Sequence, residues 1–80
     1  MEPLDAVVAV LRDADGPLHW TVIQDRALRR GSIDPFVVAN VRATVLRALR
    51  DGVRDGAVVR VDTGVYALAP TVSDGDRADA

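Results

Sequence analysis

Residues 40–52, NVRATVLRALRDG, have two unlike faces when wound as an α-helix. Val41, Val45, Ala48 and Leu49, with Val53 just beyond, recur at three- and four-residue spacing. They make one apolar stripe, flanked by Leu46. Ala43, Thr44, Arg47, Arg50, Asp51 and Arg54 fall on the other side, and Arg42 sits near the edge of the stripe and leans out. One face is built for a core. The other offers small residues, a hydroxyl and arginines. Two uses fit such a helix: a solvated surface kept soluble by Arg, or a surface that lies against a polyanion.

The rest of the chain must cover that stripe. Residues 4–14 read as a first helix with Leu4, Val7, Val8 and Leu11 facing inward. Pro3 suits its first turn, and Asp5 complements its dipole. Asp15-Gly16-Pro17 ends it, with Gly16 free to adopt a left-handed stop. Leu18-His19-Trp20 reads as a brief strand. Thr21-Val22-Ile23-Gln24 has the pattern of a capping box that opens a second helix. That helix runs to about Arg30, with Ile23, Ala27 and Leu28 inward and Gly31 as its stop.

Residues 32–39 leave two starts open for the third helix. Asp34-Pro35 has the form of a cap followed by a first-turn proline. Alternatively, Phe36-Val37-Val38 is a short turn packed on the core, and the helix begins after Asn40 as its cap. The second is preferred, because Phe36, Val37, Val38 and Val41 on one helix would widen its apolar face beyond a single stripe. Gly52 and Gly56 bracket the end of the third helix. Residues 57–61, AVVRV, have the β-branched content of a strand. Asp62-Thr63-Gly64 reads as a three-residue hairpin loop with Gly where positive φ is needed, and Val65-Tyr66-Ala67-Leu68 returns. Residues 69–80, APTVSDGDRADA, are small, acidic and turn-rich. The expected organisation is a domain over residues 1–70 and a disordered acidic tail over 71–80.

The order helix, short strand, helix, helix, hairpin predicts an α+β fold. It is the winged helix-turn-helix, with three helices, a short strand and a C-terminal two-stranded wing hairpin. The chain also resembles the HARE-HTH domain. That winged helix occurs at the amino ends of some restriction endonucleases, in the delta subunit of bacterial RNA polymerase and in chromatin proteins. The resemblance rests on Gly16-Pro17-Leu18-His19 with Ile23, on Ala43-Thr44-Val45 with Leu49, and on Arg60-Val61 with Gly64-Val65-Tyr66-Ala67-Leu68. It covers about residues 4–69, and its motifs are specific as a set rather than singly. Asn40-Val41 departs from the family, which often has Pro at the start of the third helix. The resemblance implies DNA binding, or docking to DNA-associated machinery, without catalysis.

Charge distribution says more than the net of −2. Residues 21–54 hold seven Arg against three Asp, so the excess of acid lies elsewhere. Every basic residue is Arg and none is Lys. That fits a GC-rich genome, and it also favours planar, two-pronged contacts with phosphate or guanine. One Phe, one Trp and one Tyr give little surface for stacking single-stranded bases.

No Gly-rich phosphate loop, nucleophile elbow or His/Cys cluster at metal spacing is present. Asp13-Ala14-Asp15-Gly16 opens like a calcium loop but lacks the further acidic ligands. Asp51 and Asp55 read as a solvated helix end, and the lone His19 reads as structural. The expectation is therefore no enzyme, no cofactor, no metal and no small-molecule substrate. The first apolar run, AVVAVL, is short and follows acidic residues, so neither a signal peptide nor a membrane span is expected, and the chain reads as cytoplasmic.

The expected partner is duplex DNA. Thr44, Arg47, Arg50 and Arg54 would meet the major groove, and Arg26, Arg29 and Arg30, with the wing, would touch the backbone. The alternative is a protein-interaction module of the same fold that does not bind DNA. A homodimer, paired through residues 4–11 or 36–38, fits either.

Overall fold

The computed structural model describes residues 2–70, and the tail expected over 71–80 lies outside the described residues. The order is α1 (Pro3–Arg12), β1 (Leu18–His19), α2 (Trp20–Arg29), α3 (Val41–Asp55), β2 (Val58–Asp62) and β3 (Val65–Leu68). The strands form one antiparallel sheet in the order β1-β3-β2. Three helices, a strand inserted between the first two, and a hairpin after the third make an α+β winged helix, with β2-β3 as the wing.

The core is small and aliphatic. It comprises Ala6, Val7, Val10 and Leu11 of α1, Ile23 and Ala27 of α2, Ile33, Val45, Ala48 and Leu49 of α3, and Val58 of β2. Pro3 and Asp5 occupy the first turn of α1 as expected. The inward face differs from the expected one: Ala6 and Val10 are buried, whereas Leu4 and Val8 are only half-buried. Both α2 and α3 pack on α1. A helix covered from two sides buries a wide stripe, and its small Ala6 allows close approach. The stop of α1 also differs. Asp13 caps it in right-handed conformation, donating its N–H to Ala9 O, and Gly16 is not among the glycines with positive φ.

α2 corrects the expected capping box. Its cap is His19, whose Nδ1 accepts from the Thr21 N–H at 3.3 Å and lies 2.8 Å from Thr21 Oγ1. Gln24 Oε1 does not reach back. It is buried without a hydrogen-bond partner. The sheet explains the change. β1 pairs Leu18 with Tyr66 and His19 with Val65, and the Trp20 N–H donates to Gly64 O at 2.9 Å. The chain is held extended only as far as His19, so Trp20 opens the helix instead of closing the strand. At the other end Gly31, at φ 74°, is the left-handed stop, and Ser32 N–H bonds to Ala27 O.

Of the two possible starts, α3 uses the later one, with Asn40 Oδ1 accepting from the Ala43 N–H at 3.0 Å. The preceding turn does not pack as expected. Asp34 Oδ1 accepts from Phe36 N–H, and Asp34 O accepts from the N–H groups of Val37 and Val38, which turns the chain outward. Phe36 is 96% exposed and Val37 79%, whereas Ile33 fills the core beneath them.

α3 runs on past residue 52 to a left-handed cap at Gly56, φ 84°. Gly52 is therefore inside the helix and does not bracket its end. A Cβ there would stand 2.8 Å from Val58 Cγ2 and 3.0 Å from Leu4 Cδ1. The wing also shifts by a residue. Arg60 pairs with Tyr66 but Asp62 with Val65, which leaves Val61 as a bulge. The extra residue extends β2 to Asp62 and shortens the loop to Thr63-Gly64, with Gly64 at φ 73°.

Gly52→Ala gains about 1 kcal/mol of helix propensity. It also forces a methyl into a buried valine, so a net loss of about 1–2 kcal/mol is expected by denaturant titration. His19→Ala should cost about 1 kcal/mol as a lost N-cap, and His19→Asn should restore most of it. Thr21→Ala should cost less than His19→Ala, since it leaves the amide-to-imidazole bond in place; an equal cost would return the cap to Thr21.

Candidate nucleic-acid interface

Val45, Ala48, Leu49 and Gly52 hold α3 against the core. That fixes which of its side chains point away. Arg47, Arg50 and Arg54 lie within one outward arc and are exposed. The flanks of the arc differ. On one side Thr44, Arg47 and Asp51 border a shallow depression closed by Glu2, Pro3 and Leu4 at the start of α1. Thr44 is half-buried there. On the other side Arg50 and Arg54 face the wing across a groove of about 500 Å³. Leu46, Val53 and Tyr66 give this groove an apolar lining, and Arg60 of β2 closes the rim. The structure thus separates Thr44 from Arg50 and Arg54, which the expected groove surface had put together. Val53, expected on the core stripe, is 41% exposed because it faces this groove.

The nine arginines of the described residues are balanced by nine Asp and Glu, so the described domain is neutral. Its charges are not evenly satisfied. Arg29 Nε pairs with Asp25 Oδ2 at 3.0 Å, and Arg54 Nη2 with Asp51 Oδ1 at 3.0 Å, both between neighbours on an exposed helix face. Arg30 Nη1 pairs with Asp13 Oδ2 at 2.8 Å and also donates to Ala9 O at 3.2 Å, tying the end of α2 to the end of α1. The Arg42 guanidinium lies over the Trp20 ring, 5.4 Å from its centroid, rather than leaning free. Among the described residues Arg12, Arg26, Arg42, Arg47, Arg50 and Arg60 have no ionic partner. Three of those six, Arg47, Arg50 and Arg60, are on α3's outward face or turned towards it.

Arg26, Arg29 and Arg30 are not part of this surface. Arg30 reaches α1, and neither Arg26 nor Arg29 lines the groove or the depression beside α3. Arg60, conversely, belongs to the groove but was not among the expected contacts. Strand alternation carries the signal. Val58 faces the core, so Arg60, two residues on, shares its side of the sheet. The wing tip itself, Thr63-Gly64, carries no charge.

Among the described residues no group of His, Cys, Asp or Glu could hold a metal ion, and no helix is long and apolar enough to cross a membrane. Three helices with a β1-β3-β2 antiparallel sheet form an α+β layout consistent with a winged helix. Compared with protein-family models, curated proteins and solved structures, the chain matches none.

The ionic contacts separate structural from free arginines. Arg30→Ala, which removes a half-exposed ion pair and a bond to a helix-end carbonyl, should lower stability by about 1 kcal/mol. Arg47→Ala and Arg50→Ala should each change it by less than about 0.5 kcal/mol. Thermal unfolding of the three variants checks the order, and a reversed order would contradict these pairings.

Proposed function

We propose that this chain is a duplex-DNA-binding winged-helix domain of a cytoplasmic regulator associated with transcription or chromatin, as its HARE-HTH resemblance implies. The observation that carries this reading is the set of arginines without ionic partners on and beside the outward face of α3. In this reading α3 enters the major groove. Arg47 and Arg50 contact guanine edges or phosphates, and Arg60 follows the backbone from the wing. Arg54 exchanges Asp51 for a phosphate at little cost, because an exposed ion pair between helix neighbours is worth only about 0.3–0.5 kcal/mol. Thr44 is a positioning neighbour at the edge of the contact. Arg26 and Arg29 reach the backbone only if the duplex extends past α2. The proposal assigns the domain no catalysis and no cofactor.

A protein-interaction module is the second reading. Phe36 and Val37 favour it, since an adjacent pair of exposed apolar side chains at a turn is a common element of contact surfaces. The neutral balance of the domain also favours it.

Titrating labelled protein with mixed-sequence duplex at low and moderate salt separates the two. Binding should weaken steeply as salt rises. Arg47→Ala and Arg50→Ala should each weaken binding at least several-fold. A lost phosphate contact reduces the salt slope by roughly one, whereas a lost base contact costs about 1–3 kcal/mol on the preferred site only. Arg29→Ala should have little effect. If the wild-type chain binds no duplex even at low salt, the DNA reading fails and the interaction module replaces it.

A further inference from the structure

Two exposed features of the domain complement each other. The turn before α3 carries Phe36 and Val37, 96% and 79% exposed, with Asp34 beside them. Residues 31–40 hold that one acid and no base. The groove between α3 and the wing has an apolar floor of Leu46, Val53 and Tyr66, with Arg50, Arg54 and Arg60 at its edge. We infer that the turn over residues 34–37 of one copy docks in the wing groove of a second copy. Phe36 meets the apolar floor, and the Asp34 carboxylate meets Arg50 and Arg60. The contact stands on apolar surface and charge, and it does not rest on the DNA reading.

The turn is built to project. Asp34 Oδ1 accepts from the Phe36 N–H at 2.9 Å, and Asp34 O accepts from the Val37 and Val38 N–H groups at 3.1 and 3.0 Å. Ile33, 3% exposed, anchors the segment in the core. A turn held this way has little left to order when it docks. Asp34 Oδ2 has no partner among the described residues and is available to a guanidinium.

Placement makes the contact intermolecular. Pro3 borders the turn, and it also borders the depression on the Thr44 side of α3. The wing groove lies on the opposite flank. Arg50 is also nine residues along α3 from Val41, about 14 Å at helical rise. One chain therefore cannot seat its own turn in its own groove.

Charge complementarity selects the second copy. Arg50 and Arg60 have no ionic partner among the described residues, and a carboxylate accepts two-pronged bonds from a guanidinium. A guanidinium also lies favourably on an aromatic face such as that of Phe36. The described domain is neutral, so copies have little net repulsion to overcome. The contact is small. An aromatic side chain buries about 150–250 Å², and a stable complex needs about 1,200 Å² or more, so association is weak. Turn and groove are different surfaces, so the contact runs head to tail. Each new copy leaves one turn and one groove free, and the assembly does not stop at two.

Sedimentation equilibrium of the full chain, from about 0.01 to 1 mM, tests this without nucleic acid. The wild-type average mass should rise with concentration and pass that of a dimer. Amide signals of residues 34–38 and of Leu46, Arg50, Val53 and Tyr66 should shift over the same range, and those of Arg12 and Arg29 should not. Two variants break one side each. Asp34→Asn/Phe36→Ser removes the turn's charge and its ring, while Asn keeps an oxygen for the residue-36 amide. Arg50→Glu/Arg60→Glu reverses the groove edge. All four substituted side chains are exposed, so both variants should melt as the wild type does. Each alone should stay monomeric. Their equimolar mixture should form a heterodimer and stop there, since one intact turn meets one intact groove. A monomeric wild type at 1 mM overturns the docking and leaves both surfaces to other partners. Association of either variant alone overturns it as well, and a groove variant that still dimerises shows the turn pairing with itself. A mixture that stays monomeric also overturns it. None of these failures touches the DNA reading, which duplex titration decides separately.

Discussion

The structure depends on the missing side chain at Gly52. There α3 passes between Leu4 of α1 and Val58 of β2 at distances that leave no room for a methyl group. That approach lets one helix be covered by a helix on one side and by the sheet on the other. It is how a stripe of Val45, Ala48 and Leu49 becomes fully buried in a domain this small. The rest of the core uses the same economy of volume. Alanines and valines make up most of it, and no aromatic residue is fully buried. A core of this size leaves a stability margin of only a few kcal/mol. The outward face of α3 is fixed as the complement of its buried face, so the packing that stabilises the domain also aims its arginines.

Much of this was legible in the sequence wherever the deciding interaction is local. The apolar period placed α3, Asn40 could be read as its cap, and Gly31 and Gly64 stand at positive φ where stop and turn chemistry required them. Readings failed where a distant strand decides. Thr21 with Gln24 satisfies the capping pattern, yet His19 is the cap, because pairing with Val65 and the bond from Trp20 to Gly64 end the extended segment at His19, two residues before Thr21. The bulge at Val61 depends on register with β3, which strand propensity does not encode. Phe36 was assigned to the core by its hydrophobicity. Asp34 turns that segment outward while Ile33 takes the buried place.

The candidate surface was legible to a similar depth. Helical geometry finds the outward arc of Arg47, Arg50 and Arg54, but it cannot say what borders the arc. The start of α1 covers one flank and takes in Thr44. The wing faces the other and adds Arg60 and Tyr66. Counting arginines between residues 21 and 54 likewise overstated the positive field. The count ignored pairs such as Arg30 with Asp13, whose partner lies outside that window.

For a neutral domain, attraction to a polyanion depends on how the charge is distributed and on what each charge must give up. Arg47, Arg50 and Arg60 give up only water. Arg54 gives up one exposed, screened contact with Asp51 and regains an equivalent one. Arg30 would give up two partners, one of them a carbonyl at the end of α1 that would then lack its donor. The arginines are thus ranked by their present contacts, and three of the least committed ones, Arg47, Arg50 and Arg60, border α3. A net charge of zero over the described residues removes long-range attraction without regard to orientation. Under the proposed DNA reading, what remains is strongest when α3 and the wing groove face the duplex, so the same charge distribution that would limit affinity would also select the docking pose.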